Sequence, residues 1–389
     1  MAAPAMVDYQ SPGVYRQDVL PAPPPTLLTG VPVFLGYAER GSPDSPRRLT
    51  VWPGFQTEYG APLPDGYLAS AVRGFFENDG LVCYVQRLDR TASPLAALRA
   101  GLAAVSDLDD VDLVCVPDLT SPPMSGDPDW AAAAALQAEV LADCRRAGGR
   151  FAILDGVLTG ETRVLARHRK ALSGGDDGAL YHPWLWVSEP DGPARYVPPC
   201  GHVAGVYTRT DQQVGVHKAP ANEPVQGVLD LRVNLTDRAL GEVYALDVNC
   251  LQAQPGRGIR VWGARTLSAD PAWRQVGARR VFLTMSRWLD RFMAELVHEP
   301  NDVRLWVRIM RELTAYLDSL YERGALRGRT AEEAFFVKCD SETNPPEILD
   351  TGQVVTHVGL ALAAPAEFVV ARIVHGASGV TVSPATAPA

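Results

Sequence analysis

The residues able to do chemistry are few and poorly placed for it. The only lysines are Lys170, Lys218 and Lys338, and none follows a glycine, so the Gly-Lys-Ser/Thr step of a phosphate-binding P-loop is missing. Gly256 and Gly258 form a Gly-x-Gly step that lacks the third glycine and the strand-turn-helix setting of a dinucleotide fingerprint, and it reads as a turn. His168, His182, His202, His217, His298, His357 and His375 are widely spaced. His298-Glu299 runs straight into Pro300, which breaks the helix a His-Glu-x-x-His zinc site requires. These histidines read as surface or hydrogen-bonded core residues.

The acidic run from Asp107 to Asp112 has oxygens for a hard cation, yet lacks the glycine and closing glutamate of a calcium loop. It reads as a solvated connection into a strand at Leu113. No Gly-x-Ser-x-Gly nucleophile elbow occurs. Cys83, Cys115, Cys144, Cys200, Cys250 and Cys339 form no Cys-x-x-Cys pair and read as buried thiols in a reducing compartment. No catalytic, metal-binding or cofactor-binding residue is assigned. Sites assembled from distant residues leave no local signature, so a soluble two-domain α/β enzyme stands as the alternative reading.

The elements that would position any such residues alternate in type. Runs at 81–85, 112–116 and 151–154 read as strands, and 93–105, 127–147 and 161–172 as helices, with Ser93-Pro94 and Asp127-Pro128 as helix starts. That alternation predicts an α/β domain with a partly parallel sheet. Farther on, Val281, Met285, Trp288, Leu289, Phe292 and Leu296 make one apolar helical stripe. Leu305, Ile309, Leu313, Tyr316, Leu317 and Leu320 make a second. Strand-like runs at 334–339 and 354–362 follow, so the second block is α+β. The run 367–374 is apolar on nearly both faces, as in a strand covered on both sides. The first 30 residues are rich in proline, ending in PAPPP at 21–25, and favour an extended backbone with few internal hydrogen bonds.

At 389 residues, 47% of them hydrophobic, the chain has material for two cores. The formal charge of −9 opposes general attraction to nucleic acid. The opening residues lack a secretory signal pattern, and no apolar run approaches the roughly 20 residues that span a bilayer, which leads us to expect cytoplasmic synthesis and assembly without membrane insertion.

Several phrases carry a family resemblance: VPPCGHVAGVY at 197–207, DQQVGVHKAPAN at 211–222, GRGIRVWGARTL at 256–267, EPNDVRLW at 299–306, FFVKCD at 335–340, PAEFV at 365–369, and SPGVY at 11–15. In their order and spacing the chain resembles the contractile tail sheath family of phage tails, R-type bacteriocins and extracellular injection particles. It looks like a short member of the injection-particle or bacteriocin kind. His217 stands where that family commonly has an aromatic residue.

The resemblance implies a two-domain tail-sheath fold, α/β plus α+β, with an arm at 1–30, a variable outer domain at 31–205, an assembly domain at 206–365 and a second arm at 366–389. It implies hexameric rings of the chain stacked around an inner tube protein, with baseplate and terminal cap proteins as further partners. The particle then either stays in the cytoplasm or is released. Arms of this family add strands to neighbouring subunits; here Val14, Tyr15 and Val19 would serve at one end, and Phe368, Val370, Ile373 and Val374 at the other. The long helices carry Arg287 and Arg291, and Arg304, Arg308 and Arg311, as candidate contacts to the tube.

Overall fold

The computed structural model describes residues 27–121, 129–172, 175–189, 192–296, 299–362, 368–376 and 379–385. The first unit holds β1 (Pro32–Gly36), β2 (Arg47–Leu49), α1 (Trp52–Tyr59), α2 (Leu68–Glu77), β3 (Cys83–Arg87), α3 (Pro94–Ala104), β4 (Leu113–Cys115), α4 (Trp130–Ala147), β5 (Phe151–Asp155) and α5 (Thr162–Ala171). It continues through β6 (Gly178–His182), β7 (Leu185–Glu189), β8 (Gly192–Val197), α6 (Cys200–Gln213), β9 (Val228–Leu231), α7 (Asp237–Tyr244), β10 (Val248–Gln254) and β11 (Gly258–Trp262). The second holds α8 (Val276–Ala294), α9 (Val303–Glu322), β12 (Phe335–Lys338), β13 (Val354–Leu360), β14 (Val369–Gly376) and β15 (Gly379–Ala385).

An eight-stranded sheet in the order β11-β10-β6-β5-β4-β1-β3-β2 organises the first unit. Its six central strands are parallel, and β2 and β11 run antiparallel at the edges. Both faces are covered, which is why the strands read as continuous apolar runs. On β1, Phe34 belongs to the core shared with α1, α2 and α6, while Val33 and Leu35 belong to the core shared with α3, α4, α5 and α7. Ser93 caps α3 as expected. The helix start expected at Asp127 falls outside the described residues, and α4 is capped by Asp129, whose carboxylate accepts the Ala132 N–H.

The sequence places a domain boundary at 205/206. Beyond it, β10 and β11 join the same sheet as β1, so the first unit runs to Trp262. The phrase at 197–207 is the start of α6, which crosses α2 closely. A Cβ at Gly201 would lie inside the van der Waals envelope of the Ala71 backbone, and one at Gly205 would meet the Phe75 carbonyl. Glycine is needed there because the two helix backbones touch.

A second core joins the apolar stripes of α8 and α9 to a four-stranded antiparallel sheet, β12-β13-β14-β15. Trp288 stacks on Tyr316 with ring centroids 4.2 Å apart and planes 2° from parallel. Asp302 caps α9, accepting the Arg304 N–H at 2.8 Å and the Leu305 N–H at 3.1 Å.

Candidate assembly site

Strand β14 lies inside the second sheet. It pairs with β13 from Val369 opposite Leu360 to His375 opposite Val354, and with β15 from Val370 opposite Ala385 to Gly376 opposite Gly379. Val370 and Ile373 are buried, Val374 is half-buried, and Phe368 sets its ring edge-on against Phe336. In the single subunit these four residues, expected to form an arm reaching a neighbour, lie along a strand of the chain's own sheet. Both edges of β14 are already bonded within the chain, and the sheet's outer strands are β12 and β15. Val14, Tyr15 and Val19 fall outside the described residues.

Within the subunit the arginines of α8 hold the acidic run. Arg287 is 7% exposed, and its guanidinium donates to the carbonyls of Asp109 and Asp110, both at 3.0 Å. Arg291 donates to the Asp109 carbonyl at 3.2 Å and pairs with the Asp110 carboxylate at 3.1 Å. Arg287 is thereby buried, while Arg291 stays exposed. From the other side, Arg150 donates to the carbonyls of Val105, Ser106 and Leu108. The acidic run thus serves through its backbone: its carbonyls clasp guanidinium groups from α8 and from the chain entering β5.

Two more arginines continue this seam. Arg279 donates to Asp177 at 2.6 Å. Arg280, 2% exposed, meets Asp211 at 2.6 Å and Asp112 at 3.0 Å, with its guanidinium over the Tyr207 ring. Asp112 in turn accepts the Gly30 and Val31 N–H groups. Burial alone would favour a neutral Arg280; Asp211 and Asp112 outweigh it and hold the guanidinium charged beyond its ordinary range. One face of α8 is bonded to the first unit and the opposite face is packed into the second, so the two units are joined along its length.

On α9 the outer face presents Val303 and Val307, 63% and 53% exposed, beside exposed Arg304 and Arg311. Arg311 pairs with its neighbour Glu312 at 2.7 Å, and Arg308 is tied to Glu299. Of the five arginines expected to face a partner, Arg291, Arg304 and Arg311 are exposed.

The carboxyl ends of parallel strands are where α/β enzymes commonly bind ligands. Here the two aspartates at those ends hold backbone. Asp118 accepts the N–H groups of Tyr37 and Tyr67, both at 2.7 Å, and Asp155 accepts that of Cys200 at 2.7 Å, at the start of α6. Burial pushes these carboxyls up to about 6 and about 7. All six cysteines are buried and free.

Residues 109–267 match the family model of the phage tail sheath protein central domain, and 268–375 that of the phage tail sheath C-terminal domain. The chain belongs to the phage tail sheath family. A tail sheath protein of Salmonella phage ViI is 22% identical over 170 residues, which are 43% of this sheath chain and 26% of that protein. A protein described as a prophage major tail sheath protein of Pseudomonas aeruginosa (strain UCBPP-PA14) is 27% identical over 190 residues, 45% of each chain. The sheath chain thus matches less than half the length of those two relatives. Among solved structures, the contracted sheath of the extracellular contractile injection system PVC gives a TM-score of 0.74 at 29% identity, covering 94% of this chain and 97% of that one. The contracted helical sheath of the anti-feeding prophage gives 0.73 at 28%, covering 92% and 97%. The family and these neighbours are structural sheath proteins.

Proposed function

We propose that the chain is the structural subunit of a contractile injection particle's sheath, polymerising as stacked hexameric rings around an inner tube and contracting to drive that tube through a target envelope. The observation that carries this reading is the near end-to-end correspondence with the PVC sheath subunit, both domains included. Partners are further copies of the chain, the tube protein, a baseplate and a terminal cap. No cofactor and no nucleotide take part, because the energy for contraction is stored in the extended polymer at assembly. Synthesis and assembly are cytoplasmic, and the particle is released or retained afterwards. Among the described residues no helix is long and apolar enough to cross a membrane.

Links between subunits form by strand addition. The segment carrying Val14, Tyr15 and Val19 pairs with an outer strand of a neighbour's second sheet, and the strand of Phe368, Val370, Ile373 and Val374 holds that receiving sheet together. Each backbone hydrogen bond adds about 1 kcal/mol net, so a single link is modest and the mesh is strong through repetition. The α8 seam makes each subunit a rigid block, which leaves the terminal connections to absorb the change of packing. The outer face of α9, with Val303, Arg304, Val307 and Arg311, meets the tube. Removing residues 1–20 tests the strand-addition link: the variant should stay folded by circular dichroism and form no long sheaths, and long sheaths of normal appearance would refute it.

A further inference from the structure

Helix α5 presents a row of cations that nothing in the subunit neutralises. Arg163, Arg167 and Lys170 stand at i, i+4 and i+7 on one exposed face, spanning about 10 Å. None of the three makes an ion pair or side-chain hydrogen bond among the described residues. The helix itself carries no carboxylate. On its flanks, Glu139 of α4 is taken by Arg99, and Glu242 of α7 by Arg238. The opposite face anchors α5: Leu165 lies in the core, and His168 is hydrogen-bonded to Gln137 of α4. Arg169 also turns inward, donating to the carbonyls of Leu172 and Leu267. A free polyanion is a poor occupant of the stripe, because the chain as a whole carries a formal charge of −9 and repels it.

The matching anions are on the chain itself, in the second unit. The connection from β12 to β13 carries Asp340, Glu342, Glu347 and Asp350, and Lys338 at the end of β12 pairs with Glu342. Glu347 and Asp350 are exposed and have no side-chain partner among the described residues. They stand three positions apart on the short helix Pro346–Leu349 and its end, about 5 Å along the axis. The loop that presents them is held firmly. Asn344, 1% exposed, accepts the Val355 N–H at 2.6 Å and donates to the Val355 carbonyl at 3.0 Å. The Asp340 carboxylate accepts the N–H groups of Glu342 and Thr343. Carboxylates on such a loop lose little freedom when a partner arrives. We propose that the α5 stripe docks the 340–350 loop of a neighbouring copy, with Glu347 and Asp350 meeting two of its three cations. The two surfaces differ, so the contact runs head to tail and repeats from copy to copy. It rests on the polymer proposed above, and it joins the first unit of one copy to the second unit of the next. Exposed ion pairs are weak singly and screened by salt, which suits a contact exchanged when the packing changes.

Charge reversal in the full chain, produced together with the tube and baseplate proteins, tests this. Arg163→Glu/Arg167→Glu and Glu347→Arg/Asp350→Arg should each lower the yield of sedimentable sheath by about tenfold at low salt, and combining all four changes should restore it. Thermal melts of the isolated subunits should be unchanged, since all four positions are exposed. In a second measurement, mild oxidation of sheaths carrying Arg167→Cys and Glu347→Cys should join chains into a covalent ladder, the six native thiols being buried. Normal yield from either reversal, no recovery in the combination, or single chains alone after oxidation would overturn the contact. Absence of sheath from the unaltered chain would instead refute the polymer, and the contact with it.

Discussion

Arg280, on the first long helix of the second unit, meets Asp112, at the threshold of strand β4, at 3.0 Å across 168 positions of sequence. Asp211 closes on the same guanidinium from α6 at 2.6 Å. The contact fixes the position of α8 against the first unit, and its loss would leave two buried carboxylates short of their cation.

Arg280→Ala should therefore destabilise the chain by about 3–5 kcal/mol, the range for breaking a buried pair from one side. Arg280→Lys should recover only part of that loss, because an ammonium cannot make the two parallel bonds to Asp211. Urea denaturation of the three proteins measures both effects. A loss in Arg280→Ala below about 1 kcal/mol, the level of an exposed pair, would contradict the seam.

Gly201→Ala should cost about 1–3 kcal/mol or more, since the added methyl has to push α6 off the α2 backbone. Gly241→Ala, where the methyl meets nothing, should be neutral or slightly stabilising. Thermal melts of the pair compare a contact with an open site in similar helical surroundings.

Acid should act through buried histidines. Burial lowers His168 and His202 to about 4 and His182 to about 3, with neighbouring His168 and Arg73 adding to the effect on His182 and His202 respectively. A folded-state value below the unfolded one near 6.5 means that the unfolded chain binds more protons in this interval. The stability these groups contribute is full above 6.5 and is lost as pH falls from there through about 4. Asp155 works in the opposite sense, being raised to about 7, so the test compares variants. His202→Gln should flatten the decline in melting temperature between pH 6.5 and 4 relative to the unaltered chain. An identical slope in the two proteins would refute the role of His202.

Arg304→Glu combined with Arg311→Glu should leave the subunit's melting temperature within about 2 °C, as expected for exposed positions. The variant should assemble sheaths that fail to retain the tube. Filled sheaths in normal proportion, counted in electron micrographs, would exclude this face of α9 as the tube contact.

Local pattern carried much of the fold. Alternation of strands and helices showed the parallel sheet, and the stripes through Trp288 and Tyr316 marked two helices that do stack on each other. Burial partners were not legible. Arg287 looks like any exposed helix arginine in sequence, because the carbonyls that satisfy it belong to Asp109 and Asp110. The acidic run looked solvated for the same reason, since its side chains are visible in a sequence and its carbonyls are not. The run 367–374 is apolar on nearly both faces, and within the subunit β14 is bonded along both edges, by β13 and β15. A signal for the seam was present in the arginines of α8, which recur on the side opposite the apolar stripe. Nothing in the sequence tells which carboxylates they meet.

The most direct test of the central claim is electron microscopy of the chain produced together with the tube and baseplate proteins encoded beside it. The account predicts straight tubular particles with six subunits per ring, in a long narrow form and a shorter, wider one from which the tube has emerged. Compact oligomers of fixed size, with no tubular polymer, would contradict it.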